Sequence, residues 1–172
     1  MASLIVFYSR SGENYFGGEL RYIEVGNTEK VAKMIADITN DAVIKLEQKI
    51  PYSDDYNVCI EQAKADLKNN VRPELVNLPD NLDQYDDIYL GYPNYWGTMP
   101  MAVYSFLEAY DMSGKTIHPF CTHEGAGMST TESDIKRVAN GVKVTKGLPI
   151  CGSEVDMAVD KVENWIMFDC KA

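Results

Sequence analysis

Short apolar segments alternate with amphipathic segments along this chain. Residues 4–8 are almost continuously apolar, which is typical of a strand buried on both faces of a sheet. Over residues 27–40, apolar side chains recur every three or four positions, which predicts a helix with one buried face. The chain therefore opens with a strand, a long polar loop and a helix.

The same two patterns continue to the end of the chain. Further strands are predicted at residues 42–46, 86–91, 115–121 and 148–151. Further helices are predicted at residues 56–69, 100–110 and 158–166, and another after a capping box formed by Ser129 and Glu132. Alternating strands and helices of these lengths predict an α/β fold, with a parallel sheet covered by helices on both faces. We expect residues 1–172 to form a single domain.

Charge and cysteine usage narrow the range of functions. The formal net charge of −10 disfavours nucleic acid and anionic membranes as partners and favours basic proteins. The N-terminal apolar segment is too short to span a membrane and lacks the basic flank of a signal peptide, so the expected location is the cytoplasm. The four cysteines are widely spaced and histidines are scarce, so no metal site is assigned.

The first loop has the composition of a phosphate site. In α/β folds of this kind, ligands bind beyond the carboxyl ends of the strands. The first N–H groups of a helix lack partners within the helix, and the helix dipole adds positive potential there. Hydroxyl and backbone N–H groups at this point predict a site for the phosphate of a cofactor. The residues concerned are Ser9, Arg10, Ser11, Gly12, Asn27 and Thr28.

An insertion of residues 13–26 separates the two halves of this loop. Gly17 and Gly18 favour a tight turn, and residues 20–25 have the composition of a returning strand. We therefore expect a small hairpin within the first loop.

Two further loops carry groups suited to a planar ligand. The second loop, residues 92–100, contains Tyr95 and Trp96, whose rings can stack on a planar group. The third loop, residues 122–129, contains His123, Glu124 and glycines that let the backbone approach a ligand closely. Each pattern alone also fits a structural role. The first loop would then be an ordinary turn, the two aromatic rings would pack on the core, and His123 and Glu124 would face solvent.

Together, the three loops and the order of elements resemble the flavodoxins. The first loop is similar to their T/S-x-T/S-G-x-T phosphate loop. Residues 93–98 and 120–127 resemble the P-x-x-W-G-T and F-C-T-H-x-G-x-G segments of a larger flavodoxin-like group. The resemblance implies a doubly wound sandwich with a five-stranded parallel sheet in the order 2-1-3-4-5, and non-covalently bound FMN. It also implies that the cofactor contacts Ser9, Arg10, Ser11, Gly12, Asn27, Thr28, Pro93, Asn94, Tyr95, Trp96, Gly97, Thr98, Thr122, His123, Glu124, Gly125 and Gly127.

Three functions are compatible with these features. The favoured interpretation is an electron carrier that shuttles electrons between basic redox partners, as a monomer or weak homodimer, with no catalytic residue of its own. The alternative is an NAD(P)H-dependent FMN oxidoreductase that reduces a quinone, a flavin or a similar acceptor, because flavodoxin-like folds host both activities. A third function is that of a binding module for another phosphorylated ligand, or of an interaction domain without flavin. A phosphoacceptor receiver domain is disfavoured, because the strands end without the required acidic residues.

Overall fold

The computed structural model describes residues 2–171, and its centre is a parallel sheet. In chain order, the strands are β1 (Ala2–Phe7), β2 (Gly12–Phe16), β3 (Glu19–Ile23), β4 (Ala42–Lys45), β5 (Tyr85–Pro93), β6 (Thr116–His123), β7 (Lys143–Val144) and β8 (Leu148–Cys151). The helices are α1 (Asn27–Thr39), α2 (Tyr56–Lys68), α3 (Met101–Ala109), α4 (Thr131–Val138) and α5 (Val159–Trp165), with a 3-10 helix at Gly152–Met157 and a π-helix at Ile166–Cys170.

The order of strands in the sheet is β4-β1-β5-β6, and both β7 and β8 pair with the far edge of β6. All these pairs are parallel, which confirms the predicted doubly wound order. The prediction of five strands was one short, because the last position is shared by two short strands. In the sheet register, Ile117 pairs with Val144, and Phe120 pairs with Leu148. The step from one pair to the next is three residues in β6 and four in the edge segment, which therefore carries one extra residue. This irregularity lies beside Pro119 of β6, which has no N–H to donate to a ladder.

Two apolar clusters lie on opposite faces of the sheet. Leu4 and Val6 of β1 belong to the cluster covered by α3, whereas Ile5 and Phe7 belong to the cluster covered by α1 and α5. Successive residues of a strand point to opposite faces, so a strand buried on both faces must be apolar throughout. This explains the continuous apolar run at the start of the chain.

The capping box predicted at Ser129 and Glu132 does not form. Helix α4 begins at Thr131, and its cap residue Thr130 makes no side-chain capping hydrogen bond. The Glu132 carboxylate instead accepts a hydrogen bond of 2.9 Å from the N–H of Gly147, in the connection between β7 and β8. The Glu132 side chain thus makes a tertiary contact instead of the capping contact at the helix end that the local pattern predicted.

The insertion in the first loop forms the expected hairpin. Strands β2 and β3 pair antiparallel, and the turn between them is Gly17-Gly18, with φ values of 64° and 86°. Positive φ at both central turn residues suits the twist of a two-residue hairpin and favours glycine there. None of the helices between residues 2 and 171 is long and apolar enough to cross a membrane.

A buried histidine in β6 makes the stability of the fold dependent on pH. His118 is 2 % exposed, and its ring nitrogens lie 2.8 Å from Asp87 Oδ1 and 2.9 Å from Thr145 Oγ1. Burial lowers the pKa of His118 below its usual 6.5, Lys143 lowers it further, and Asp87 opposes both effects. Below pH 6.5, the unfolded chain therefore binds a proton more readily than the folded chain. We expect the free energy of unfolding to fall as the pH decreases below 6.5.

Urea unfolding at a series of pH values between neutral and mildly acidic tests this prediction. His118→Gln should flatten the pH dependence, because the variant has lost the titrating group. Burial also lowers the pKa of His123, the other histidine, so His123→Gln is measured in parallel to show how much of the pH dependence comes from that second group. An unchanged pH dependence in His118→Gln would contradict the assignment.

Candidate cofactor cleft

A cleft of about 300 Å³ opens at the carboxyl ends of β1, β5 and β6. Its volume is at the lower end of the range for small-molecule sites. Residues expected from the sequence that line it are Ser9, Arg10, Asn27, Thr28, Pro93, Asn94, Tyr95, Trp96, Thr122, His123 and Glu124. The three loops of the sequence analysis therefore meet at a single site.

The first loop and the start of α1 present a cradle of hydrogen-bond donors. The cap residue of α1 is Gly26, which has no side chain, and Ser9 Oγ caps the helix instead by accepting from Glu29 N–H at 3.1 Å. Within residues 2–171, the N–H groups of Arg10, Ser11 and Asn27 find no acceptor. Unsatisfied donors at a helix N-terminus attract an anion.

Gly26 permits the close approach of the loop to the helix. It is buried, and a Cβ atom at this position would overlap the Ser9 hydroxyl oxygen and the backbone carbonyl of Arg10. Its φ of −64° is ordinary, so the need for glycine is one of space rather than of backbone conformation. The geometry of the donor cradle therefore depends on the missing side chain.

The Arg10 side chain connects the donor cradle to residues 53 and 54, just before α2. Its guanidinium donates to the carbonyls of Glu13, Ser53 and Asp54 at 2.9, 2.9 and 2.8 Å. These acceptors are neutral, so the positive charge of Arg10 is not cancelled by a carboxylate in these contacts. A cationic side chain thus lies beside the donor cradle in a protein of strongly negative net charge.

The two aromatic residues of the second loop have different surroundings. Tyr95 N–H donates to Thr98 O at 2.8 Å across a turn in which Trp96 and Gly97 have φ values of 56° and 83°. The Trp96 ring is 48 % exposed, and its indole N–H donates to the carbonyl of Ile60 in α2 at 3.0 Å. Trp96 therefore reaches across the mouth of the cleft towards α2.

The Tyr95 ring packs instead against the core. It meets the Tyr8 ring edge to face, with centroids 6.0 Å apart. Its buried hydroxyl makes no hydrogen bond within residues 2–171, and burial raises the pKa of Tyr95 well above the usual value. Of the two rings that the sequence offered as stacking groups, only that of Trp96 belongs to an exposed residue.

Asn94 joins the second loop to the third. Its N–H donates to Thr122 O at 2.9 Å, and its side-chain amide donates to Gly127 O at 3.1 Å and to Ser129 Oγ at 2.9 Å. Its side-chain oxygen accepts from Gly97 N–H at 3.0 Å. The side chain of Asn94 thus holds the two loops together as well as lining the cleft.

The third loop also contacts the first part of the chain. The hydroxyls of Thr28 and Thr122, both buried, are 2.7 Å apart, and Glu124 Oε2 accepts from Gly17 N–H at 3.1 Å. His123 Nδ1 accepts from Gly125 N–H at 2.9 Å. Burial lowers the pKa of His123, while Glu124 and Glu154 oppose the shift. Both the burial and this accepted hydrogen bond favour a neutral imidazole.

Some residues expected at the cofactor do not line the cleft. Thr98 is buried, and its hydroxyl is engaged with Tyr104 and Asp134 at 2.7 and 2.8 Å. Ser11 and Gly12 line a separate pocket with Asp54, Asp55 and the hairpin. The expected residues outside the lining of the cleft are Ser11, Gly12, Gly97, Thr98, Gly125 and Gly127.

Other residues line the cleft that were not among the expected cofactor contacts, and one of them, Asn14, lies in the insertion, where the sequence left a phosphate contact open. They come from the hairpin, from α2 and from the segment after β8, and they are Asn14, Tyr15, Tyr56, Cys59, Ile60, Ala63 and Gly152. The spacing of Cys59 and Ala63, two small residues one turn apart on α2, is a signal that could have been used. Small side chains on one helical face leave room for a ligand beside the helix.

Comparisons with known proteins agree with this architecture. Residues 20–168 match the model of a family described as flavodoxin. The structure resembles a Bacteroides uniformis protein described as a flavoprotein, with a TM-score of 0.75 and 22% identity over 94% of this chain and 97% of that one. It also resembles a Lactobacillus acidophilus flavoprotein in complex with FMN, with a TM-score of 0.63 and 21% identity over 94% and 98% of the two chains.

A third similar structure is oxidised flavodoxin 2 from Bacillus cereus, with a TM-score of 0.53 and 22% identity over 97% of this chain and 96% of that one. These structural likenesses concern the fold. No curated protein matches the chain significantly. The family model spans most of the residues, which confirms the resemblance inferred from the three loops. The chain belongs to the flavodoxin family.

Proposed function

We propose that this protein binds FMN non-covalently in the cleft and carries electrons between redox partners. The observation that carries the proposal is the donor cradle formed by the first loop and α1, in a cleft whose mouth carries the exposed Trp96 ring. Membership of the flavodoxin family supports the choice of ligand, as do the flavoproteins of similar fold, of which the Lactobacillus acidophilus protein is in complex with FMN.

The cradle fits a phosphate group without a metal. The N–H groups of Arg10 and Asn27 would donate to phosphate oxygens, and the hydroxyl of Ser9 lies beside them. The positive end of the α1 dipole and the charge of Arg10 would offset the negative field of the protein. These groups would hold the phosphate, while Trp96 would offer its ring to the planar part of the ligand.

Bound FMN would supply the redox chemistry, and the chain would set its environment. Glu124 would oppose further negative charge in the cleft, which makes reduction harder. The acidic surface of the protein would steer it towards basic redox partners, with association that slows as salt is added.

The first experiment is anaerobic reduction of the FMN-loaded protein. We expect the apoprotein to take up FMN and become yellow. We also expect the visible flavin band to persist when NADPH or NADH is added, and to bleach when dithionite is added. Bleaching by a nicotinamide within seconds would favour the oxidoreductase instead. Failure to bind FMN added in excess would overturn the proposed function.

A further inference from the structure

The hairpin of β2 and β3 spans the cofactor cleft from one rim to the other. Asn14 and Tyr15 of β2 line the cleft. On the α2 side, the ring centroids of Tyr15 and Tyr56 lie 6.2 Å apart. On the opposite side, the N–H of Gly17 in the hairpin turn donates to Glu124 of the third loop at 3.1 Å. A ligand held in this cleft therefore has the hairpin as part of its covering.

The two ends of the hairpin are held with different strength. At its base, Glu13 Oε1 accepts from Tyr56 N–H at 2.8 Å, and Glu13 O accepts from Arg10 Nε at 2.9 Å. Asn14 Nδ2 also donates to Arg10 O at 2.8 Å. At its tip, the hydrogen bond to Glu124 joins two exposed residues. The base is thus anchored by several hydrogen bonds, whereas the hydrogen bond at the tip joins exposed groups and can be replaced by water.

We propose that the hairpin is a cover over the cofactor cleft and that it determines which reductants reach the cofactor. The hydrogen bond from Gly17 N–H to Glu124 holds this cover closed, and Glu124 is called the latch below. This inference rests on the proposed binding of FMN. A dihydronicotinamide must place its C4–H against the flavin ring, because hydrogen and both electrons move together and leave a pyridinium. A one-electron donor needs only close approach to an exposed edge, and the product is flavin with one added electron. A closed hairpin blocks the first route and leaves the second open.

The latch residue can be tested with three variants. Glu124→Ala removes the acceptor for Gly17 N–H and should open the cover. Glu124→Gln removes the charge but keeps an oxygen that can accept the same hydrogen bond. Glu19→Ala is the matched control, because it removes an exposed hairpin carboxylate that pairs with Arg21 rather than with the third loop.

The probe is 1-benzyl-1,4-dihydronicotinamide, a small hydride donor that needs no binding site of its own, compared with dithionite as the one-electron reductant. In Glu124→Ala loaded with FMN, we expect reduction by the dihydronicotinamide to become about 10-fold faster, because a hydrogen bond to a charged group has been lost from the closed state. The rate with dithionite reports the effect of the lost charge, so the ratio of the dihydronicotinamide rate to the dithionite rate should rise in this variant. Glu124→Gln loses the charge but keeps the acceptor, so it and Glu19→Ala should keep the wild-type ratio of the two rates.

A second readout does not depend on reduction. Stopped-flow mixing of FMN with the apoprotein measures association, and displacement of bound FMN measures dissociation. A cover that opens more often speeds both rates, whereas the loss of a simple cofactor contact speeds dissociation alone. We expect both rates to rise in Glu124→Ala.

Two results would overturn the inference while leaving the proposed function intact. One is equal reduction of FMN-loaded wild type and Glu124→Ala by the dihydronicotinamide. The other is a Glu124→Gln variant in which the ratio of the two rates rises as far as in Glu124→Ala, which would assign the effect to charge rather than to the latch. A wild-type protein that binds no FMN would overturn the proposed function, and the inference with it.

Discussion

Replacement of Gly26 by alanine is expected to weaken FMN binding by about 100-fold or more. The added Cβ would overlap the Ser9 hydroxyl oxygen and the Arg10 carbonyl, so the first loop would have to move away from α1. The N–H groups of Arg10 and Asn27 would then no longer converge on one phosphate. Hydrogen bonds to a charged group contribute about 1.5–3 kcal/mol each, so the loss of one or two gives the expected factor.

Fluorescence titration of the apoprotein with FMN measures this effect, and urea unfolding separates it from a loss of stability. Gly114→Ala is the matched control, because no atom lies within 4 Å of the added Cβ, while the φ of +78° makes alanine unfavourable there. That variant should lose about 1 kcal/mol of stability and keep its affinity for FMN. Near-normal affinity in Gly26→Ala would show that the phosphate lies elsewhere.

Replacement of Trp165 by alanine is expected to reduce the free energy of unfolding by about 3–5 kcal/mol. Trp165 is 2 % exposed, and its ring centroid lies 5.8 Å from that of Tyr89 and 6.2 Å from that of Phe120. Its indole N–H donates to Lys146 O at 2.8 Å. The substitution would leave both a cavity between α5 and the sheet and an unpaired carbonyl.

Urea unfolding of the apoprotein, followed by circular dichroism, measures the loss. Met167→Ala is the matched control two residues further along, because Met167 is 61 % exposed and its removal should change stability by less than about 0.5 kcal/mol. A loss below about 1 kcal/mol in Trp165→Ala would mean that the contact between α5 and the sheet adds little to the stability of the fold.

Local patterns were sufficient for most of the elements. The continuous apolar run of β1 and the Gly17-Gly18 turn each reflect a backbone constraint that acts over a few residues, and both predictions are confirmed. The predicted bounds of β4, β5 and β6 lie within two residues of those in the structure. The capping box at Ser129 and Glu132 was wrong because a distant N–H competes for the carboxylate.

The candidate site was only partly predictable. The three loops follow from strand ends, because parallel strands bring their carboxyl ends to one edge. The contribution of α2 did not follow, because whether Cys59 and Ala63 face a cleft or a neighbouring helix depends on how α2 packs. Local pattern also could not predict the different surroundings of Tyr95 and Trp96, since they depend on Tyr8, just after β1, and on Ile60 in α2.

The amino-acid sequence by itself determined the α/β class, the strand order implied by the flavodoxin resemblance, the hairpin and the three loops. The class, the hairpin and the loops depend on hydrophobic periodicity and turn chemistry, which act between near neighbours in the chain, whereas the strand order rests on the resemblance alone. Only the tertiary structure decided that the hairpin crosses the cleft, that Arg10 binds the segment before α2, and that Glu124 meets Gly17. Gly17 and Glu124 are separated by 107 positions in the chain, so only the packing of the whole sheet brings them together.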